Sequence, residues 1–247
     1  MSAKKILIGE IVGTFILVFI GCGSVALAII YEFINSLIEV ALFWTIGVIL
    51  GIYSSMKLSG AHLNPAVSIA ILIDKKINFR EFIYYLFAQF IGALIAGFLL
   101  FHLIKNDLGI YNLKTACIFG EYFPNPTFEN LNWVTLPIAC LIEATATFFL
   151  IYLIFIITNI SKIQKLSPTL IGITVGILIY IVAPYTQCCM NPARDIAPRI
   201  IAHFNGWEQL AFSYNGIGWL MVYIIAPLIG GTVGALIFRI TLKKRLS

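Results

Sequence analysis

Ser59-Gly60-Ala61-His62-Leu63-Asn64-Pro65-Ala66-Val67 and Met190-Asn191-Pro192-Ala193-Arg194-Asp195 share one tripeptide, and the setting of the two copies decides the fold. Each Asn-Pro-Ala opens a short apolar helical pattern, over 63–73 and 190–203. Pro suits a first helical position, where its missing N–H would be unpaired anyway, and Asn before it is a favoured N-cap. Both segments are too apolar for solvated loops and too short to cross a bilayer, which takes roughly 20 helical residues. They read as re-entrant. Non-helical backbone at membrane depth survives only when buried in protein or lining a watery cavity, so a pore is already suggested. Asn-Pro is also an ordinary turn dipeptide, and Asn125-Pro126 reads as one. Two copies at matched places make that reading inadequate for Asn64 and Asn191.

Around the motifs lie six apolar stretches long enough to span, near 6–30, 38–57, 82–104, 136–159, 167–183 and 217–239. The composition agrees: 247 residues, 60% hydrophobic and 11% charged, against about 25% charged in soluble domains. The solvent for most of this surface is lipid. The net charge of +5 is no nucleic-acid signal, because the basic residues sit in short clusters between spans. Lys4 and Lys5, then Lys75, Lys76 and Arg80, then Lys162 and Lys165, then Lys243, Lys244 and Arg245 all fall on one side of a six-span arrangement. By the positive-inside rule that side is the cytoplasm, and both termini are expected there. No cleavable signal peptide stands out. Cys22, Cys117, Cys140, Cys188 and Cys189 form neither a disulfide framework nor a zinc spacing, and all but Cys188 read as small core hydrophobes.

The chain repeats itself. Gly9-Glu10 through Gly13-Thr14, a second span and Asn64-Pro65-Ala66 are echoed by Ile142-Glu143 through Ala146-Thr147, a second span and Asn191-Pro192-Ala193. Three spans plus one re-entrant segment occur twice, and an odd number of spans per half forces opposite orientations. The expected organisation is one transmembrane channel domain over 1–247, with inverted repeats near 1–104 and 136–239 and a long extracellular loop, 105–135. Opposed half-helices would meet at their N-termini near the midplane, each carrying about half a positive charge. That potential repels cations and protons. The two Asn amides add donors for a passing oxygen, which breaks a proton-conducting chain. Nothing resembles a nucleophile with its base, a metal cluster or a phosphate loop; no enzyme activity, cofactor or metal is expected.

The two quoted stretches resemble the signature loops of the major intrinsic protein family, the aquaporins and glycerol facilitators, and the similarity covers essentially the whole chain. Glu10 and Glu143 match the family's buried glutamates, and Ala88-Gln89 with Gly92-Ala93 matches its third helix. The resemblance implies an all-α membrane protein: six helices and two re-entrant half-helices, usually a homotetramer with a pore in each subunit. Asp195 after Arg194, the stretch from Phe119 to Pro126, and Phe204 to Trp207 with Ala211-Phe212 resemble the glycerol branch. The implied function is passive passage of glycerol and similar small uncharged solutes, with water, across the plasma membrane; the alternative is a water-selective aquaporin. The implied selectivity filter is Trp44, Ile179, Cys188 and Arg194. Cys188 departs from the aromatic usual in glycerol facilitators, and Ile179 stands where water-selective members place a histidine. A charge at membrane depth costs ~3 kcal/mol or more on insertion scales, so Arg194 reads as functional; Trp44 could otherwise be a packing aromatic. The carbonyls of Gly60, Ala61, His62, Thr186 and Gln187 are expected to line the pore, with the His62 ring bracing its loop. Glu10, Glu143 and Asp195 are expected to support the loops.

Overall fold

In a computed structural model, residues 1–242 are described; Lys243, Lys244 and Arg245, the last basic cluster, lie outside them. The described chain is helical: α1 (Ala3–Ile29), α2 (Leu37–Ser59), α3 (Pro65–Ile73), α4 (Phe79–Ile104), a short α5 (Leu113–Ala116), α6 (Leu136–Asn159), α7 (Ser167–Thr186), α8 (Pro192–Ala202), a short α9 (Glu208–Ser213) and α10 (Gly218–Thr241). Six of these, α1, α2, α4, α6, α7 with its preceding 3₁₀ turn, and α10, are long and apolar enough to cross a membrane. Their starts are written locally. Ser36 and Asn78 form capping boxes with Glu39 and Glu81, and Pro stands in the first turn of α6 and α7, where its missing N–H costs nothing.

The helices pack as two matching sets. α1 meets α2 and α4 as α6 meets α7 and α10, and α4 packs on α8 as α10 packs on α3. The close approaches are matched too. A Cβ at Gly92 of α4 would lie 2.5 Å from the Ile11 carbonyl oxygen of α1, and one at Gly230 of α10 would lie 2.1 Å from that of Ala144 in α6. Within lipid, association depends on such backbone proximity, because apolar side chains gain little by leaving hydrocarbon. Ile46, Phe87, Phe98, Ile177 and Tyr180 are exposed on the outside, as lipid-facing surface should be.

The spans extend beyond the hydropathy limits by a few residues. α1 and α4 each begin three residues early, and α7, expected over 167–183, is helical through Thr186, with Pro184 inside it. The third loop also differs. Asn125 is buried: its Nδ2 donates to the Ala183 carbonyl at 2.7 Å and its N–H to that of Tyr185 at 3.2 Å. Asn125-Pro126 does begin a turn, the Phe128 N–H donating to the Asn125 carbonyl. That turn is also an anchor on the end of α7, which sequence alone could not reveal.

Candidate functional site: a pore between two half-helices

α3 and α8 are set end to end by their caps. Asn64 Oδ1 accepts from the Ala66 N–H at 2.7 Å, and Asn191 Oδ1 from those of Ala193 and Arg194 at 3.2 and 3.3 Å. Each amide then reaches across: Asn64 Nδ2 donates to the Met190 carbonyl at 2.8 Å and Asn191 Nδ2 to that of Leu63 at 2.9 Å. The N-termini are thus locked back to back by a reciprocal pair of hydrogen bonds. An amide NH₂ carries two donors, so one N–H of each Asn remains for an oxygen in the cavity that both line.

The loop before each half-helix holds residues in the left-handed region: Ala61, Leu63, Gln187, Cys188 and Met190. None is glycine, and such conformations cost on the order of 1 kcal/mol or more each. Two buried carboxylates hold them. Glu10 accepts the N–H groups of His62 (3.0 Å) and Leu63 (2.7 Å), the Ser59 hydroxyl and Gln89 Nε2. Glu143 accepts the N–H groups of Cys189 and Met190, both at 2.9 Å, and the Thr186 hydroxyl at 2.6 Å. In a trans peptide the carbonyl opposes the N–H. Turning these four N–H groups onto carboxylates therefore aims the carbonyls of Ala61, His62, Cys188 and Cys189 the other way, and all four residues line the cavity. Ala61 and His62 belong to the expected set. Gly60 and Thr186 are not part of the lining; Gly60 is the left-handed cap of α2 and Thr186 the last residue of α7. In the second loop Cys188 and Cys189 join Gln187 in the lining, and Thr186 stays at the end of α7. Gln187 lines the cavity, and its side-chain Oε1 accepts from the Tyr122 N–H. The His62 ring is stacked on Tyr85 at 3.9 Å with Nδ1 3.2 Å from Ser68 Oγ.

A second cavity lies on the side of the third loop. Trp44, Glu121, Ile179, Gln187 and Arg194 line both cavities, which makes them the ring at the junction. The Arg194 guanidinium sits 4.7 Å from the Trp44 ring centroid, a cation–π distance. Ile179 is buried on the shared wall. Cys188 lines the first cavity and packs into the same apolar cluster as Trp44 and Ile179. Cys189 also reaches that cavity, but packs with Phe123 and Tyr223, its thiol donating to the Asn191 carbonyl.

Glu121 was not singled out from the sequence. Its Oε1 pairs with Arg194 Nε at 3.0 Å, and both side chains are almost fully buried. Burial pushes the Glu121 carboxyl well above the usual carboxylate range, a rise that the Arg194 guanidinium opposes; the contact gives the buried guanidinium a partner. The available signal was a lone carboxylate in the apolar run Ile118-Phe119-Gly120-Glu121-Tyr122-Phe123, since a buried charge needs a partner. Behind it, Asp195 Oδ1 accepts the Glu121 N–H at 2.8 Å and both Asp195 oxygens pair with Arg199. Arg199 also donates to the carbonyls of Glu121 and Ala211 and stacks on Tyr122. Asp195 thus supports the third loop. Gly21 was missed as well. A Cβ there would lie 2.3 Å from the Trp44 ring, so the bare backbone of α1 lets the indole lie back from the opening. Among the described residues, no group of three or more His, Cys, Asp or Glu is placed to hold a metal ion.

The family model described as major intrinsic protein matches residues 1–238. The chain belongs to this family. Among curated relatives it is similar to a glycerol uptake facilitator protein of Haemophilus influenzae, 33% identical over 96% of this chain and 94% of the relative. It is also similar to mouse aquaporin-9, 30% identical over 96% of this chain and 81% of the relative. Among solved structures it resembles the X-ray structure of the aquaglyceroporin from Plasmodium falciparum, with a TM-score of 0.86 and 26% identity over 99% of both chains. This family member is a multi-pass membrane channel, not an enzyme.

Proposed function

We propose that the chain is a passive channel for glycerol and other small uncharged solutes, with water as co-permeant, that excludes ions and protons. The observation that carries this reading is the junction ring: a guanidinium beside an indole face, with Ile179 on the wall. Such a ring offers hydrogen bonds to one edge of a polyol and apolar surface to its carbon edge. A water-selective filter would spend its wall on polar groups, and Ile179 supplies none. The names of the relatives point the same way. The channel is one domain of two inverted repeats, 1–104 and 136–239, a division supported by the matched helix packing; 105–135 faces outside. It sits in the plasma membrane as a homotetramer, with both termini in the cytoplasm, in line with Lys4, Lys5, Lys75, Lys76 and Arg80.

The test is stopped-flow reswelling of proteoliposomes in glycerol, urea or another neutral solute, with internal pH followed in parallel. Glycerol entry well above that of protein-free vesicles, without pH collapse, is the expected result. A proton current tracking solute entry would refute the passive reading, and water flux alone would favour the water-selective one.

A further inference from the structure

The third loop carries Glu121 to the junction ring on a segment, 121–125, with no helix or strand of its own. Its backbone is held from outside instead. Asp195 and Arg199 of α8 take the N–H and the carbonyl of Glu121, and Gln187 takes the Tyr122 N–H. At the far end, the Asn125 N–H and side chain donate to the Tyr185 and Ala183 carbonyls of α7. Between these holds stands Phe123, 6% exposed, and both of its backbone groups go to one side chain. Asn215 Oδ1 accepts the Phe123 N–H at 3.3 Å, and Asn215 Nδ2 donates to the Phe123 carbonyl. A primary amide can do both at once, as a neighbouring strand would. The turn before α10 is shaped for this contact. The Asn215 carbonyl accepts the Gly218 N–H at 2.9 Å, and Gly216 stands in the left-handed region that favours glycine. A Cβ at Gly218 would lie 2.5 Å from the Phe123 ring. Tyr214 meets the Tyr122 ring edge to face, 5.9 Å between centroids. Asn215 itself lines neither cavity, so its clamp does not serve by touching a solute.

We propose that Asn215 is a positioning residue for the channel: its amide fixes Phe123 and so sets where the third loop walls the pore, with Glu121 on one side of the clamp and Asn125 on the other. This rests on the channel reading and deepens it. The observation that carries it is one amide closing on both backbone groups of a buried residue 92 positions away. Without the amide, the Phe123 N–H and carbonyl are stranded away from water, and buried backbone groups rarely stay unpaired. The segment must then turn outward to solvate them, pivoting about its two end holds. That swing draws Glu121 away from Arg194 and reshapes the wall of the outer cavity, which Glu121 and Asn125 both line. It also loosens Phe123 from Cys189 of the second loop, its neighbour in one apolar cluster. A solute as wide as glycerol depends on that wall more than water does.

The experiment uses the full chain in proteoliposomes and reads the glycerol-to-water permeability ratio, so that water flux gauges the folded channels. Asn215→Ala is expected to lower the ratio about threefold, the equivalent of ~0.7 kcal/mol. Asn215→Asp keeps an acceptor for the Phe123 N–H but sets a carboxylate oxygen against the Phe123 carbonyl. Its ratio at about pH 7.5, where the carboxyl is ionised, is expected to fall at least as far. At about pH 4.5 the carboxyl regains a donor, because a facing carbonyl oxygen favours its protonated form. The ratio of Asn215→Asp should then return to within about twofold of wild type, whereas that of Asn215→Ala should not. Wild type measured at both pH values accounts for Glu121 and every other group that titrates. An unchanged ratio in Asn215→Ala would mean that the clamp serves stability alone, and would overturn the proposal. So would a low ratio in Asn215→Asp that acid leaves unrepaired. If Asn215→Asp carries no water at either pH and is therefore misfolded, the ratio of Asn215→Ala decides alone. Wild-type vesicles with no flux above protein-free ones sink the channel reading beneath it.

Discussion

The two re-entrant loops are built alike as far as their asparagines and differ beyond them. Before Asn64 and Asn191, a buried carboxylate gathers two consecutive N–H groups and a hydroxyl: Glu10 with His62, Leu63 and Ser59, Glu143 with Cys189, Met190 and Thr186. After the motifs, the first half-helix continues as Val67-Ser68, while the second continues as Arg194-Asp195 and enters a web of ion pairs with Glu121 and Arg199. The shared part solves a problem both loops face, satisfying backbone at membrane depth. The part that differs makes the two ends of the pore unequal. Only the second half-helix brings a charge to a ring, and only the third loop brings the carboxylate that answers it.

The largest effect expected from this comparison lies in the shared part. Glu143→Ala would strand three donors, the Cys189 and Met190 N–H groups and the Thr186 hydroxyl; Glu10→Ala would strand the His62 and Leu63 N–H groups and one N–H of Gln89, while the Ser59 hydroxyl keeps the Ser55 carbonyl. At about 1–3 kcal/mol for each stranded group, either loss rivals the whole stability of a domain. Both variants are expected to give little folded protein, as read by thermal unfolding in detergent. A variant that unfolds within a few degrees of wild type would show that its loop is held by something else, and the equivalence of the two loops would fail.

A middle-sized effect is expected at Gly21, on the unequal side. A methyl group there overlaps the Trp44 ring, and overpacking costs typically 1–3 kcal/mol. The indole can relieve it only by moving off α1. Gly21→Ala is therefore expected to lower glycerol permeability several-fold and water permeability less, in the same vesicle assay. Equal losses for both solutes would mean that the helix pair has been disturbed as a whole and that the ring has not been narrowed.

The smallest effect separates two neighbouring thiols. Cys188 shares an apolar cluster with Trp44 and Ile179, whereas Cys189 packs towards Phe123 and Tyr223 with its thiol bonded to the Asn191 carbonyl. Inhibition of solute flux by a mercurial should be removed by Cys188→Ser and kept by Cys189→Ser, with little change in uninhibited flux in either variant. Inhibition that follows Cys189 would shift the second loop by one residue and move Ile179 out of register with it.

Much of this molecule was legible in its residues. The six spans, the two half-helices and their caps are local or periodic features, and lipid leaves the backbone few other solutions, so composition and spacing settle them. Thr186 stands in α7 and not in the second loop because helix propensity does not say that α7 continues past Pro184; contacts with Asn125 at its end bear on that. Gly21 gave no sign, since an unremarkable glycine in an apolar helix matters only through the ring laid against it. Glu121 stands 73 positions before Arg194 in the chain, yet their side chains meet at 3.0 Å. Sequence alone determined that a channel of this family exists here, because bilayer thickness and backbone hydrogen bonding act on every residue locally. Which donor faces which acceptor in the ring between its cavities was decided only by the tertiary structure, because a loop distant in sequence must fold back into the pore before its one buried carboxylate meets the guanidinium.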